Sequence, residues 1–369
     1  MLGKIKMAYL MHINWNWIKQ RPHFLYEELS YYIDIDLYYI DKFLDRSKYK
    51  INNTRNTYRS SKVNKIKKLP LSGRYTWLQQ IEKFINRKIS LEQYNYIWIT
   101  SPLILEFIPL KELEGKQIIY DCMDDFLEFY HDSDKINRMK KLEFELVQVA
   151  DIVITSSTFL KDKMQFLYGR HLKQEPFLIN NGISSSLVNT LNDKGGYVDR
   201  KTVVKSQFIN LTYIGTIGDW VDFELILEIL NRASNIIINM IGPIDTRTPS
   251  HPRLHFVGIV DHHDIPHYAK ESDALIMPFK INELVQSVDP VKIYEYIFFQ
   301  KPIIAVDYGE MHKFQLFVYL YSTLSEFMVY THSLEKGELK VESMESALHF
   351  LNQSTWKQRC NKIIEIIKE

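Results

Sequence analysis

The segment 277–307, MPFKINELVQSVDPVKIYEYIFFQKPIIAVD, carries the residue types and spacing best suited to bind an anionic ligand. Asp289 and Pro290 are typical of a helix start, since an aspartate at the N-cap accepts a backbone N–H and proline has no N–H to leave unpaired. The remaining N–H groups of such a helix start can hold a phosphate. The loop lies between two apolar runs, where α/β sheets place their ligands. This segment therefore predicts an anion site.

The helix that follows this start has an ordered pattern of charges. Ile293 and Ile297 are four residues apart on one face, so we expect Lys292, Glu295 and Tyr296 together on another face. One cation and one carboxylate would then lie beside the anion site. An ordinary helix with a surface ion pair, worth a few tenths of a kcal/mol, accounts for the same residues.

Three acids follow another apolar run. Residues 117–122 are expected to form a strand that leads Asp121, Asp124 and Asp125 into a loop. Such acids could bind a divalent ion, or one of them could face a reacting sugar. They could equally be a cluster that caps a helix.

The loop after the first predicted strand is aromatic and polar. It contains Trp15, Trp17, Arg21 and His23, and Pro22 indicates that a helix opens here. These side chains could contact a sugar or a phosphate. The tryptophans could instead pack the crossover between strand and helix.

A pair of glycines, Gly215 and Gly218, ends a predicted strand in the second half of the chain. Glycine lets the backbone approach a ligand closely. An ordinary tight turn would use the same glycines.

The elements that must position these residues alternate between strand and helix, which predicts doubly wound parallel sheets. The predicted strands are 5–11, 37–40, 96–100, 117–122, 150–156, 176–180, 208–217, 236–241, 254–260, 274–278, 302–306 and 327–330. A polar stretch with two adjacent glycines, 184–205, predicts the domain boundary. The expected domains are 1–185 and 205–353, with the last helix, 354–369, packing back on the first domain.

Composition narrows the class of protein. The chain has 369 residues and a net charge of +1, which gives no reason to expect a nucleic-acid partner. Its two cysteines, Cys122 and Cys360, are too few and too far apart for a disulfide framework, so a reducing cytoplasm is the simplest location. No apolar run reaches eighteen residues, so any membrane contact is expected to be peripheral.

A basic and aromatic stretch lies between the second and third predicted strands. From Arg55 to Lys88 it has ten cations and one acid, Glu82, with apolar residues such as Trp77 and Phe84 between them. It could lie on the anionic inner face of the cell membrane. The alternative is a solvated loop followed by an amphipathic helix packed on its own domain.

Several short segments, in the right order, resemble a bacterial subgroup of family 4 glycosyltransferases, the teichuronic acid and exopolysaccharide type. The resemblance covers most of the chain except about 42–95. The segments are Trp17-Ile18-Lys19-Gln20-Arg21-Pro22-His23, Tyr120-Asp121-Cys122-Met123-Asp124-Asp125, Ala150-Asp151-Ile152-Val153, Asn181-Gly182, Gly215-Thr216-Ile217-Gly218-Asp219-Trp220-Val221-Asp222, Pro278-Phe279-Lys280-Ile281-Asn282-Glu283-Leu284 and Asp289-Pro290-Val291-Lys292-Ile293-Tyr294-Glu295-Tyr296.

The resemblance implies a GT-B fold, with two Rossmann-like domains facing a cleft, and a retaining transfer of a sugar from a nucleoside diphosphate donor to a glycan or lipid-linked acceptor. It implies no cofactor or metal. The donor would contact Gly215, Gly218, Trp220, Asn282, Ser287, Val288, Asp289, Val291 and Glu295, with Glu295 on the ribose hydroxyls. Asp124, Asp125 and Lys292 would serve the reaction, and Trp17, Arg21 and His23 the acceptor.

The chain departs from that family at two places. Ser287 occupies a position where members often carry a glutamate, and Asp219-Trp220 replaces the Arg and Lys that commonly bind the pyrophosphate. Lys292 could supply the missing charge. Two other functions therefore stay open, a sugar-nucleotide 2-epimerase and a non-catalytic partner subunit of the same fold.

Overall fold

The computed structural model describes residues 5–42, 62–73, 75–130, 132–194, 207–261 and 264–369. The chain divides into two units, Met1–Asn180 with Arg359–Glu369, and Asn181–Gln358. The second unit thus begins before the predicted linker, and the last eleven residues of the chain cluster with the first unit.

The first unit is built on a parallel sheet with the strand order β3-β2-β1-β4-β5-β6-β7 in the described residues. The strands are β1 (Lys6–Met11), β2 (Asp34–Lys42), β3 (Val63–Lys68), β4 (Tyr96–Ile99), β5 (Gln117–Cys122), β6 (Ile152–Thr155) and β7 (Phe177–Leu178). The helices are α1 (Arg21–Leu29), α2 (Thr76–Asn86), α3 (Ser133–Val149) and α4 (Thr158–Tyr168), with 3-10 turns at Pro102–Glu106 and Leu110–Leu113.

The central strands of this sheet are apolar on both faces, as parallel sheets covered by helices require. In β1, Met7 to Met11 are all buried, and Tyr9 pairs with Leu37 of β2 and Trp98 of β4. This continuous burial is why the sequence pattern located β1 and β5 well.

The second unit has its own parallel sheet, ordered β10-β9-β8-β11-β12-β13 in the described residues. Its strands are β8 (Ile209–Ile214), β9 (Ile236–Ile241), β10 (Leu254–Gly258), β11 (Ala274–Met277), β12 (Ile303–Val306) and β13 (Tyr319–Tyr321). Its helices are α5 (Ser185–Lys194), α6 (Phe223–Arg232), α7 (Ile265–Glu271), α8 (Glu283–Ser287), α9 (Val291–Phe298), α10 (Leu324–Lys336) and α11 (Met344–Gln353), with a 3-10 turn at Gly309–Phe314. The last helix, α12 (Trp356–Lys368), crosses from the second unit to the first.

The predicted strand at 327–330 is wrong. Thr323 and Glu326 form a capping box that starts α10, and Gly337 ends this helix in the left-handed conformation. Phe327 and Thr331, four residues apart, face the core. The last strand is β13, which the sequence pattern missed.

The predicted linker is wrong in its first part, because 185–194 form the helix α5. Val188 of α5 belongs to the core of the second unit. Residues 195–206 lie outside the described residues.

The described part of the basic stretch includes a strand that neither reading of its sequence predicted. This strand is β3, and α2 is the helix that the second reading predicted. The alternative interpretation, an amphipathic helix packed on its own domain, is confirmed for α2, but the packed side is the polar one with Glu82 and Asn86, and Trp77, Ile81 and Phe84 are exposed. Residues 43–61 and Arg74 lie outside the described residues.

The α12 helix contacts α1 within the first unit. The thiol of Cys360 is buried and lies 3.9 Å from the carbonyl of Leu25. No helix in the described part of the chain has the length and apolarity that would let it cross a bilayer.

Gly242, which follows β9, is required by close packing. Its φ is +140°, and a Cβ there would lie 2.0 Å from the carbonyl oxygen of Gly215. Gly258 also has a positive φ, of +84°, but a Cβ there would meet nothing within 4 Å. Alanine would strain the backbone at either position, but only at Gly242 would it also clash with a neighbouring carbonyl.

We expect Gly242→Ala to lower the free energy of unfolding by at least about 2 kcal/mol more than Gly258→Ala, because both substitutions strain the backbone but one also forces the Gly215 turn to move. Urea unfolding of the two variants measures the difference. Equal losses would show that the turn yields without cost.

Candidate functional site

The start of α9 is the most suitable ligand site in the second unit. α9 begins at Val291, with Pro290 as the N-cap residue. The sequence-based expectation that Asp289 caps this helix is therefore wrong, and the structure uses its carboxylate elsewhere. The amides of Val291 and Lys292, in the first turn, have no carbonyl partner within the helix, as at every helix start.

Asp289 is buried and joins three segments of the second unit. One carboxylate oxygen accepts the backbone N–H of Asn181 at 2.6 Å, and the other lies 2.8 Å from the ammonium group of Lys313. The side-chain amide of Asn181 donates to the backbone carbonyl of Asp289 at 2.7 Å. Asp289 thus orients the loop before α9, and its side chain is not available to a donor.

Tyr296 connects α9 to the sheet. Its hydroxyl accepts the backbone N–H of Ile214 at 2.8 Å, and carbonyls of Ile214 and Ile276 lie within 3.4 Å. The expectation that Tyr296 shares a face with Lys292 and Glu295 is wrong, because its ring is fully buried. Instead it fixes α9 at the carboxyl ends of β8 and β11.

The side of α9 left accessible carries Val291, Lys292 and Glu295. The ammonium group of Lys292 lies 2.8 Å from Oε2 of Glu295, and the side chains are 35% and 12% exposed. Oε1 of Glu295 accepts no hydrogen bond from the described residues. A carboxylate with one free oxygen, a cation and two helix-start amides could bind hydroxyl groups and an anion together.

The loop between β11 and α9 has mainly structural contacts. Asn282 caps α8 by accepting the N–H of Val285 at 2.8 Å, and Ser287 is buried and donates to the carbonyl of Leu284 at 2.7 Å. The carbonyl of Val288 accepts the hydroxyl of Tyr308 at 3.2 Å. The predicted donor contacts of Asn282, Ser287 and Val288 stay predictions, and burial counts against Ser287.

The glycine turn after β8 is filled by the protein's own aromatic rings. A Cβ on Gly215 would lie 2.7 Å from the hydroxyl of Tyr213, and one on Gly218 would lie 2.5 Å from the indole of Trp220. Close packing against these rings thus accounts for a glycine at both positions. The predicted approach of a donor to this turn stays a prediction.

Two of the sequence motifs meet at this turn. The N–H of Asp222 donates to the carbonyl of Pro278 at 2.8 Å, and the N–H of Lys280 donates to the carbonyl of Trp220 at the same distance. The Gly215 turn, the start of the 278–284 loop and the Tyr296 hydroxyl therefore lie at one edge of the sheet. The structure brings together the segments that the sequence analysis assigned to the donor.

In the first unit, Arg21 and Asp121 form a buried ion pair. The guanidinium group donates to both carboxylate oxygens, at 2.9 to 3.2 Å, and to the carbonyl of Ile179 at 2.7 Å. Burial raises the pKa of Asp121, although Arg21 acts to lower it. The predicted role of Arg21 in binding an acceptor is not supported, since its donors join β5 to the end of β7.

His23 is buried as well. Its ring stacks on Trp15 with centroids 5.4 Å apart, and one ring nitrogen accepts the N–H of Gln20 at 3.2 Å. Trp15 therefore packs the crossover, as one of the two sequence interpretations proposed. Trp17 is partly exposed, and its predicted contact with an acceptor stays a prediction.

Asp124 and Asp125 have different surroundings. Asp125 is buried and pairs with the ammonium group of Lys163, whereas Asp124 is partly exposed. Burial raises the pKa of Asp124 to about 7, Arg21 lowers it, and the nearby acids Asp121 and Asp125 raise it further. Asp121 is paired with Arg21, and Asp125 is paired with Lys163. Of the three acids, Asp124 is therefore the one that could meet a substrate.

Two residues gain importance only from the structure. His12 lies after β1, and one ring nitrogen is 2.8 Å from the hydroxyl of Thr100 at the end of β4. Burial lowers the pKa of His12 to about 3, so the ring is neutral. Its position directly after a buried strand was a usable signal. No signal in the sequence indicated Lys313, because its partner Asp289 is distant in sequence.

A known protein resembles this chain over part of its length. A stretch of 221 residues is 25% identical to TuaH of Bacillus subtilis strain 168, a provisionally assigned teichuronic acid biosynthesis glycosyltransferase. The match covers 56% of this chain and only 54% of that protein. No protein-family model matches the chain.

Solved structures match over nearly the whole chain. Sucrose-phosphate synthase from Thermosynechococcus elongatus has a TM-score of 0.65 at 12% identity. The match covers 99% of this chain and 98% of the synthase chain. HepE from Anabaena, solved with UDP and glucose, has a TM-score of 0.64 at 13% identity. The match covers 99% of this chain and 100% of the HepE chain. These likenesses show the fold, and the predicted GT-B fold, with two parallel-sheet α/β domains, is confirmed.

The raised pKa of Asp124 predicts a pH-dependent cost to stability. A carboxyl whose pKa is higher in the folded protein than the ordinary 3.8 destabilises the fold as pH rises toward about 7. Asp124→Asn removes this cost, so its free energy of unfolding relative to the unmodified protein should rise by at least about 1 kcal/mol between about pH 5 and pH 8. Urea unfolding at both pH values measures it, and a constant difference would contradict the assignment.

The buried pair of Arg21 and Asp121 predicts a large loss of stability when only one of the two residues is replaced. Arg21→Met leaves the Asp121 carboxylate unpaired and should cost about 3 to 5 kcal/mol of unfolding free energy. The double variant Arg21→Met/Asp121→Asn removes the uncompensated charge and should recover at least about 1 kcal/mol in urea unfolding. A double variant no more stable than the single one would show that the cost comes from packing.

Proposed function

We propose that this protein is a glycosyltransferase that moves a sugar from a nucleoside diphosphate donor to a glycan or lipid-linked acceptor, in the synthesis of a cell-surface polysaccharide. The observation that carries the proposal is the accessible group Val291, Lys292 and Glu295 at the start of α9. It lies in the second unit of a GT-B fold, at the carboxyl ends of β8 and β11. The partial match to TuaH supports the same chemistry.

The donor would bind through three kinds of group. Glu295, with its free Oε1, accepts the ribose hydroxyls in charge-assisted hydrogen bonds, which are stronger than bonds between neutral groups. The amides of Val291 and Lys292 face the diphosphate, and the Lys292 ammonium group adds a positive charge. The Asp219-Trp220 pair gives no cation, so Lys292 is the main counter-charge in this proposal.

The reaction would proceed with retention. The bond from the anomeric carbon to the diphosphate oxygen breaks, the acceptor oxygen bonds to the same face of the sugar, and the acceptor proton passes to the departing diphosphate. The groups at the start of α9 stabilise the negative charge that develops on this leaving group. Neither a metal ion nor a protein base is part of the proposed step. Asp124 would position the acceptor.

The donor can be identified by the melting temperature of the protein. A panel of UDP-, GDP- and dTDP-sugars is tested, since the ligand that binds the folded state raises this temperature. Slow hydrolysis of one stabilising donor supports a transferase. Inversion at C2 would instead indicate an epimerase, and no binding at all would indicate a partner subunit without donor chemistry.

Glu295→Gln tests the assigned site directly. Loss of a charged hydrogen bond to the ribose should weaken binding of the stabilising nucleotide at least about tenfold in calorimetry. Glu228→Gln is the matched control, because Glu228 pairs with Arg232 on the exposed side of α6 in the same unit. Unchanged affinity in the Glu295 variant would remove this residue from the donor site.

A further inference from the structure

Helix α2 presents its apolar side to the surroundings. Trp77 is 59% exposed and Phe84 68% exposed, and Ile81 and Ile85 are exposed too. With 100° between successive residues, these four positions fall within one quarter to one third of the helix circumference. We call Trp77, Ile81, Phe84 and Ile85 the outer face of α2.

The opposite side of α2 is polar and buried. Asn86 accepts the N–H of Lys67 and donates to its carbonyl, both at 2.9 Å, and a carboxylate oxygen of Glu82 accepts the N–H of Leu69 at 2.7 Å. Lys67 belongs to β3, the outermost strand of the first sheet among the residues that the structure describes. These bonds satisfy three backbone groups at the end of β3 and hold α2 in this orientation.

The orientation of α2 cannot be reversed cheaply, because a rotation that buried the outer face would leave the backbone groups of Lys67 and Leu69 without partners. A contiguous apolar surface of this kind on a soluble domain marks an interaction site. Exposed Leu71 and Tyr75, just before the helix, extend the apolar surface.

Arg87 and Lys88 border the outer face, and Lys83 lies between this face and the buried side of α2. Lys83, Arg87 and Lys88 are exposed, and the Arg87 guanidinium lies over the ring of Phe84 at 5.9 Å. No carboxylate of the described residues pairs with these three cations. The one acid between residues 62 and 91 is Glu82, and it is buried against Leu69.

We propose that the outer face of α2, with Lys83, Arg87 and Lys88, docks the protein on the surface of an anionic lipid bilayer. Aromatic and aliphatic side chains would enter the boundary between headgroups and acyl chains while the cations contact the lipid phosphates. A second copy of the chain is a poorer occupant, since it would bring more cations into the interface and no carboxylate of the described outer face to neutralise them.

The docking site goes beyond donor binding and does not depend on it. Its biological meaning, delivery of the first unit to a lipid-linked acceptor, does rest on the proposed function. The two can fail separately, because vesicle binding and nucleotide binding are measured independently.

Vesicle flotation of the full chain tests the proposal. The protein should float with vesicles of phosphatidylcholine and phosphatidylglycerol, and much less with phosphatidylcholine alone. Trp77→Ser/Phe84→Ser should reduce the partition coefficient on the anionic vesicles at least about tenfold. Lys83→Gln/Arg87→Gln/Lys88→Gln should reduce it by a similar factor and remove the dependence on added salt.

Phe166→Ser is the matched control. Phe166 is 88% exposed on α4 of the same unit, so its loss removes an exposed aromatic residue without touching α2. It should bind vesicles as the unmodified protein does. The double variant should keep the melting temperature and nucleotide affinity of the unmodified protein, which distinguishes lost docking from misfolding and from loss of the donor site.

The proposal is overturned if the unmodified protein does not float with anionic vesicles, or if Trp77→Ser/Phe84→Ser floats equally well. It is also overturned if the unmodified protein is a dimer in sedimentation equilibrium and this double variant is a monomer. That result would assign the outer face to a second copy of the chain.

Discussion

The buried carboxylate of Asp289 is the interaction on which the candidate site depends. A charge removed from water is tolerated only when it is paired and hydrogen bonded, and here the Asn181 amide and the Lys313 ammonium group provide both. The loop between α8 and α9 therefore has one stable arrangement. Val291 and Lys292 begin their helix from that fixed point, with their amides directed to a common region.

Tyr296 supplies the second constraint on the same helix. Its buried hydroxyl bonds to the ends of β8 and β11, so the helix is held both at its start and along its inner side. Rigid support of this kind is what a binding site needs, because a ligand then finds its partners already oriented. Lys292 and Glu295 lie on the accessible side of α9, where their charges can meet a ligand.

Several residues that carry the family resemblance serve the fold. Arg21 and Asp121 pair with each other, His23 stacks on Trp15, and Asp289 holds Asn181. A motif can therefore match a family because it builds the same framework, without contact to a substrate. For the reaction itself, the accessible residues Glu295, Lys292 and Asp124 are the stronger evidence, and the proposed function depends on them.

The sequence by itself determined the two parallel α/β domains and the bounds of strands such as β5 and β9, because buried strands have a local pattern. It failed where a local pattern was ambiguous: the apolar run after Glu326 is a helix started by a capping box. Tertiary structure alone decided which charged groups are accessible. Asp121 and Asp124 are three residues apart, yet Asp121 is paired with Arg21, from the distant start of α1, and Asp124 is not. The tertiary structure also decided that the polar side of α2 faces inward. Glu82 and Asn86 on this side bond to backbone groups of Lys67 and Leu69, which would otherwise lack partners.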